Sequence, residues 1–211
     1  ALTAAHFTWN YFSYGLLAWL PSFLSSALNV TLSKSSFLSI LPYLATVAVT
    51  SIVAPTADKL EKGGMSRTDV RRMSQTLCFG GGAVCLTAVA WVINSTPPEA
   101  VTKSTIAIVM TLLSICFGMG AWVRTGLFCG HQDLSPKYAS IMLGTTNTAA
   151  AIASTLSTFF TGYFFNATGG NWALSLFLPI AFFQAISVVL FMAFESTPVD
   201  FDAEQAKLKA A

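Results

Sequence analysis

Ionic side chains are so sparse along this chain that they mark out its helices. No Lys, Arg, Asp or Glu occurs in residues 1–33, 35–57, 73–98, 104–123 or 138–194. A helix needs about 20 mostly apolar residues to cross a bilayer, so each interval accommodates one span and the last accommodates two. The pattern predicts spans over about residues 2–20, 37–57, 73–93, 104–128, 136–165 and 172–194. Residues 1–196 then form one domain, and 197–211 a polar cytoplasmic tail. Pro21 ends or kinks the first span, with residues 22–28 continuing it more loosely. Pro42 lies inside the second, where neighbouring groups satisfy the freed carbonyl. Ser66 and Asp69 fit a capping box that starts a helix near Arg67. Ser135 suits an N-cap and Pro136 a first helical residue, so residues 130–137 read as a charged hinge before the fifth span. Asn166 to Asn171, NATGGN, reads as a turn, with Asn171 capping the sixth span.

Composition sharpens this to an all-α membrane protein with six transmembrane helices. The chain of 211 residues is 54% hydrophobic and 9% charged, against about 25% charged residues in an average soluble domain. A lipid bilayer is therefore its first partner. A net charge of +2 argues against nucleic acid. The four cysteines lack CxxC spacing and metal-site histidine partners, so they read as small core residues with no cofactor or metal implied. The chain opens on Ala1 with no charged n-region or cleavage pattern, which reads as the start of a helix within a longer protein rather than a signal peptide.

Basic residues mark the cytoplasmic side of a membrane protein. The second-to-third loop carries Lys59, Lys62, Arg67, Arg71 and Arg72, whereas the preceding loop carries only Lys34. That places this loop, the hinge and the tail on the inside. Three Asn-x-Ser/Thr sequons, at Asn29, Asn94 and Asn166, fall in the loops on the other side. Turn chemistry is favoured over glycosylation there.

No nucleophile–base pair, phosphate loop or paired carboxylate occurs within the spans, which argues against an enzyme. Polar residues do form stripes at helical spacing. His6, Asn10, Ser13 and Tyr14 share one face of the first span, and this stripe is favoured as the wall of a cavity. Ser39, Tyr43, Thr46 and Thr50 share a face of the second. Ser140, Gly144, Asn147, Thr148, Ala151, Ser154, Thr155 and Thr158 share a face of the fifth, where small residues suit close packing more than a water path. Arg124 is the one permanent charge inside a span. It either marks a substrate path or snorkels to the nearby boundary. His131 and Asp133 are expected to fix the hinge, and Asp58 to anchor the opposite loop against its basic neighbours.

The motifs His6-Phe7, Trp19-Leu20-Pro21, Ile40-Leu41-Pro42, Ala57-Asp58, Val70-Arg71, Gln75-Thr76 and, above all, HQDLSPKYASIMLGTTNT from His131 to Thr148 recur in order. Trp172 with Ser175-Leu176-Phe177 and Pro179 follows. Together they resemble the C-terminal six-helix half of the anion:cation symporter family, within the major facilitator superfamily. The hinge and the second-to-third loop are most similar to the plastid phosphate group. The resemblance implies a secondary transporter for inorganic phosphate or organic anions, coupled to Na⁺ or H⁺, with a missing N-terminal six-helix half as partner. It implies a plastid envelope or thylakoid location, with the plasma membrane or an endomembrane as the alternative. In such folds two halves rock about a midplane site, which makes His6, Asn10, Tyr14 and Arg124 this half's path residues, with Tyr43 and Asn147 as further candidates. Trp9 stands where the vesicular glutamate branch carries an arginine, which argues against glutamate. The rival expectation is a structural membrane subunit or degenerate half that does not transport.

Overall fold

A computed structural model describes residues 1–193; the polar tail and the last residue of the sixth expected span lie outside the described residues. Among the described residues the helices form six long rods. The first is α1 (Leu2–Ala27). The second joins α2 (Leu32–Leu38) to α3 (Ile40–Lys62). The third joins α4 (Arg67–Gln75) through a π-helical turn at Thr76–Gly80 to α5 (Gly81–Ser95). The fourth joins α6 (Lys103–Gly120) through a π turn at Arg124–Phe128 to α7 (Cys129–Leu134). The fifth is α8 (Ala139–Ala167), and the sixth is a π turn at Ala173–Phe177 leading into α9 (Leu178–Ala193).

Four rods, Leu32–Lys62, Arg67–Ser95, Lys103–Leu134 and Ala173–Ala193, are long and apolar enough to cross a membrane. The other two, α1 with 26 residues and α8 with 29, have the length but carry more polar side chains. Composition, then, separates α1 and α8 from the rest.

The rods run back and forth between two ends. At one end the loops are tied together: Asn29 Nδ2 donates to the Pro98 carbonyl at 2.9 Å and Asn171 Nδ2 to Asn94 Oδ1 at 3.3 Å. Asn29 takes a left-handed conformation, φ 52°, which asparagine tolerates better than most residues. Two of the three sequon amides are thus engaged in turn and loop contacts. At the other end Arg71 of α4 reaches Asp133 of α7 and Glu61 of α3. Ala1, His131 and Phe191 also meet there around one pocket, which brings both ends of the described chain together.

Several boundaries differ from expectation, each for a local reason. Pro21 does not end α1, which continues through it to Ala27. Pro42 occupies the first turn of α3, where its missing N–H has no helical partner to lose. Ser66 caps α4, its Oγ accepting from Asp69 N at 3.1 Å, but the box does not close: the Asp69 carboxylate accepts from the Ser66 hydroxyl at 2.6 Å rather than from its backbone N–H. The hinge is the main correction. His131 and Asp133 lie on the helix α7, not in a loop, and Ser135-Pro136 does not begin the next helix. Ser135 is extended, and a turn closed by Tyr138 N donating to Ser135 O at 3.2 Å delays α8 to Ala139.

The core runs between α1, α5, α6, α9 and the last π turn, with Phe12, Phe23, Leu86, Leu113, Leu176 and Phe177 almost fully buried. α1 and α8 pack closely because Gly15 leaves room for Ser157, whose hydroxyl donates to the Tyr11 carbonyl at 2.7 Å. Further along, Gly162 of α8 takes the ring of Trp19, whose Nε1 donates to Thr158 O at 3.2 Å.

Candidate functional site

The polar stripes of α1 and α8 meet in a groove of about 530 Å³. α1 contributes His6, Asn10 and Tyr14. α8 contributes Ser140, Gly144 and Asn147, and Leu143 with Phe128 closes the floor. Tyr14 is 48% exposed, so the groove opens outward from the bundle. Among the described residues no carboxylate lines it, while amide, phenol, hydroxyl and imidazole groups all offer hydrogen-bond donors. That donor set suits an anion.

The expectation that the small face of the fifth span packs inside the bundle is corrected here. The buried residues of α8 are Thr146, Ala150, Ala153, Ser157 and Thr161, one stripe round from the expected face. Ser140, Gly144, Asn147, Thr148, Ala151, Thr155 and Thr158 are exposed. Their hydroxyls turn back onto the helix: Thr148 donates to the Gly144 carbonyl, and Ser154 and Thr158 to those of Ala150 and Ser154. Such internal bonds let hydroxyls face a poorly hydrated space without losing their partners.

Beneath the groove lies a contact the sequence did not reveal. His6 Nδ1 and His131 Nε2 each lie 2.9 Å from Thr146 Oγ1, and His131 Nδ1 lies 2.9 Å from the Leu127 carbonyl. All three side chains are buried. A buried hydroxyl therefore joins two imidazoles from α1 and α7. Only Thr146's place beside Asn147 hinted at it, because its partners lie 140 and 15 residues away in sequence.

Other candidates lie elsewhere. Tyr43 stacks edge-on against Phe117, ring centroids 4.8 Å apart, and Thr46 donates to the Phe117 carbonyl at 2.9 Å, so the second stripe packs onto α6. Arg124 is exposed on the π turn and does not line the groove. Trp9 turns toward α6, against Gly120 and Phe12. In the loop motif, Arg71 Nε donates to Asp133 Oδ2 at 2.6 Å and Arg71 Nη1 lies 3.3 Å from Glu61 Oε1. Among the described residues Asp58 is exposed and in no ion pair; Glu61 does the anchoring expected of it. The Arg72 Nε is buried without a protein partner among the described residues.

No family model matches the chain. Over 207 residues, 98% of its length, it is 35% identical to a probable anion transporter 6, chloroplastic, of Arabidopsis thaliana, covering 38% of that protein. Over 172 residues, 82% of its length, it is 33% identical to an ascorbate transporter, chloroplastic, of the same plant, covering 29% of it. It is 31% identical over 172 residues, 82% of its length, to a sodium-dependent phosphate transport protein 1, chloroplastic, also of Arabidopsis thaliana, covering 31% of it. The chain spans about two fifths of the length of the first of these. Across nearly its whole length this chain is a homologue of the plastid anion transporters, as its motifs imply.

Proposed function

We propose that the chain is one six-helix side of a secondary active transporter that carries inorganic phosphate or an organic anion such as ascorbate across a plastid membrane. It works by alternating access against a second six-helix half, coupled to Na⁺ or H⁺. The observation that carries this reading is the groove between α1 and α8. The two rods least suited to lipid by composition lie side by side, and their polar faces open on the same side of the bundle. In lipid such a face is costly unless another protein surface or a water-filled path covers it. A second half supplies that cover and makes the groove half of a central site.

The test is uptake of radiolabelled phosphate and ascorbate by proteoliposomes of the full-length protein, with Na⁺ and pH gradients imposed separately. The expected result is saturable uptake of at least one anion, reduced about tenfold by Asn147→Leu, a loss of about 1.4 kcal/mol of stabilisation along the transport path. Absence of uptake under every gradient would leave the scaffold reading.

A further inference from the structure

We propose that His6, Thr146 and His131 share one exchangeable proton, which enters and leaves through the groove, so that an anion enters the groove against a protonated His6. This rests on the transporter reading above and names its coupling ion. The contacts set the starting hydrogens. A carbonyl only accepts, so the 2.9 Å contact to Leu127 O puts a hydrogen on His131 Nδ1. In the neutral ring Nε2 is then bare, and it shares the Thr146 hydroxyl hydrogen with the Leu143 carbonyl, 3.1 Å from Oγ1. Thr146 Oγ1 in turn accepts from His6 Nδ1–H, which leaves His6 Nε2 bare.

A proton arriving on His6 Nε2 makes an imidazolium. The Nδ1 hydrogen can then move to Thr146 Oγ1 while Thr146's own hydrogen moves to His131 Nε2. His6 is left neutral with its hydrogen on Nε2, Thr146 now donates to His6 Nδ1, and the charge sits on His131. No hydrogen is gained or lost after the first arrival. The charge crosses 6.2 Å between ring centroids, and repulsion at that separation opposes a second proton.

The two ends differ in access. His6 lines the groove with Asn10, Tyr14 and Asn147. His131 borders a pocket of about 410 Å³ with Thr145, Ile141 and Ala1, while its two ring nitrogens are engaged by Leu127 O and Thr146 Oγ1. Apart from Tyr14, His6 is the ionisable side chain that the described residues place on the groove, so its proton supplies the positive charge an anion needs there. The other charged or titratable groups facing the relay are few. α7 carries Cys129 and Asp133, and the Asp133 carboxylate is held by Arg71 of α4. Arg124 is exposed on the π turn, Lys137 and Tyr138 precede α8, and the Ala1 amine shares the His131 pocket. α9 has no ionisable residue.

The experiment uses full-length protein in proteoliposomes with an internal pH dye, and radiolabelled phosphate or ascorbate. For one-to-one coupling, an external pH one unit lower drives accumulation up to about tenfold, with dye acidification matching uptake. Thr146→Val is expected to bring the accumulation ratio to about one, and Thr146→Ser to restore it, since only the hydroxyl is required. Val retaining the pH-driven accumulation, or native uptake driven by Na⁺ without acidification, overturns the proposal. A second measurement needs neither transport nor a variant: ¹⁵N-histidine spectra of native protein in nanodiscs, titrated with acid. The two rings shifting together in one shared step supports the relay; two independent steps overturn it. If native protein moves neither anion, the transporter reading fails, and this titration judges the proton site alone.

Discussion

The α1–α8 pair and the α3–α6 pair solve the same packing problem beside grooves of different chemistry. In both, a glycine lets two rods approach: Gly15 admits Ser157, and Gly118 admits Val49. On α3 one hydroxyl turns inward and much of the outward face is oily. Thr46 donates to the Phe117 carbonyl, while Leu44, Val47 and Ile52 are exposed. The groove between α3 and α6 is accordingly apolar, lined by Leu41, Val49, Ile106 and Met110 among others, as a surface meeting lipid tails would be. On α8 the buried stripe is Thr146, Ala150, Ala153, Ser157 and Thr161, and the amide of Asn147 stands outside, in the groove shared with α1. The contrast between an apolar and a polar groove distinguishes a surface suited to lipid from one suited to a solute.

The largest expected effect comes from closing the α1–α8 contact. A Cβ at Gly15 would clash with Ser157 Oγ, which is already committed to the Tyr11 carbonyl. Gly15→Leu must part the two rods and break a buried hydrogen bond, at a cost of about 4 kcal/mol. Full-length protein carrying it is expected to lose its monodisperse peak in detergent and melt well below the native protein. A native-like melting curve would mean that α1 and α8 are not held by this contact.

Next in size is the ion-pair cluster at the opposite end of the bundle from the Asn29 loop. Asp133→Ala leaves Arg71 with Glu61 alone in a largely buried place, side-chain exposure 10% for Arg71. The expected loss is about 2 kcal/mol, because one partner remains. Asp58→Ala, in the exposed position first expected to anchor that loop, is expected to shift the melting temperature hardly at all. Equal shifts for the two would show that Asp133 is no more an anchor than Asp58.

The rods were legible in the sequence because charge is costly in lipid, and the gaps between ionic residues therefore bound helices. The N-cap at Ser66 was legible because its two partners are three residues apart. The hinge was misread for a related reason. Polar residues such as His131 and Asp133 are the local signature of a loop, but here they are satisfied by Thr146 and Arg71, from distant parts of the chain. Ser135-Pro136 carries the chemistry of a helix start and of a tight turn alike, and the turn prevails. The π turns carry no local signal. The polar face of α8 was found by periodicity, yet its direction was not, since a stripe of small hydroxyl residues suits close packing and a water path equally well. Only the placement of α1 beside it decides.

A smaller effect separates the two glycines of this pair. A Cβ on Gly144 meets nothing within 4 Å, in contrast to Gly15. Gly144→Leu is expected to leave stability within about 0.5 kcal/mol of native. Projecting into the groove, it should still lower anion uptake several-fold. Lost stability with intact uptake would make this face a packing surface after all.

Arg124→Gln tests the least polar-looking alternative and carries the smallest expected change. The side chain is exposed on the π turn and away from His6, Asn10, Tyr14 and Asn147. From there a long guanidinium can reach the interface with its stem along apolar surface. Uptake is then expected to fall less than about twofold, worth roughly 0.4 kcal/mol. The measurement is initial uptake rate per protein in the vesicle, compared with Asn147→Leu in the same preparation. A loss at Arg124 as large as at Asn147 would move the solute path away from the α1–α8 groove and toward the end of α6. The contrast between the polar and the apolar groove would then describe packing alone.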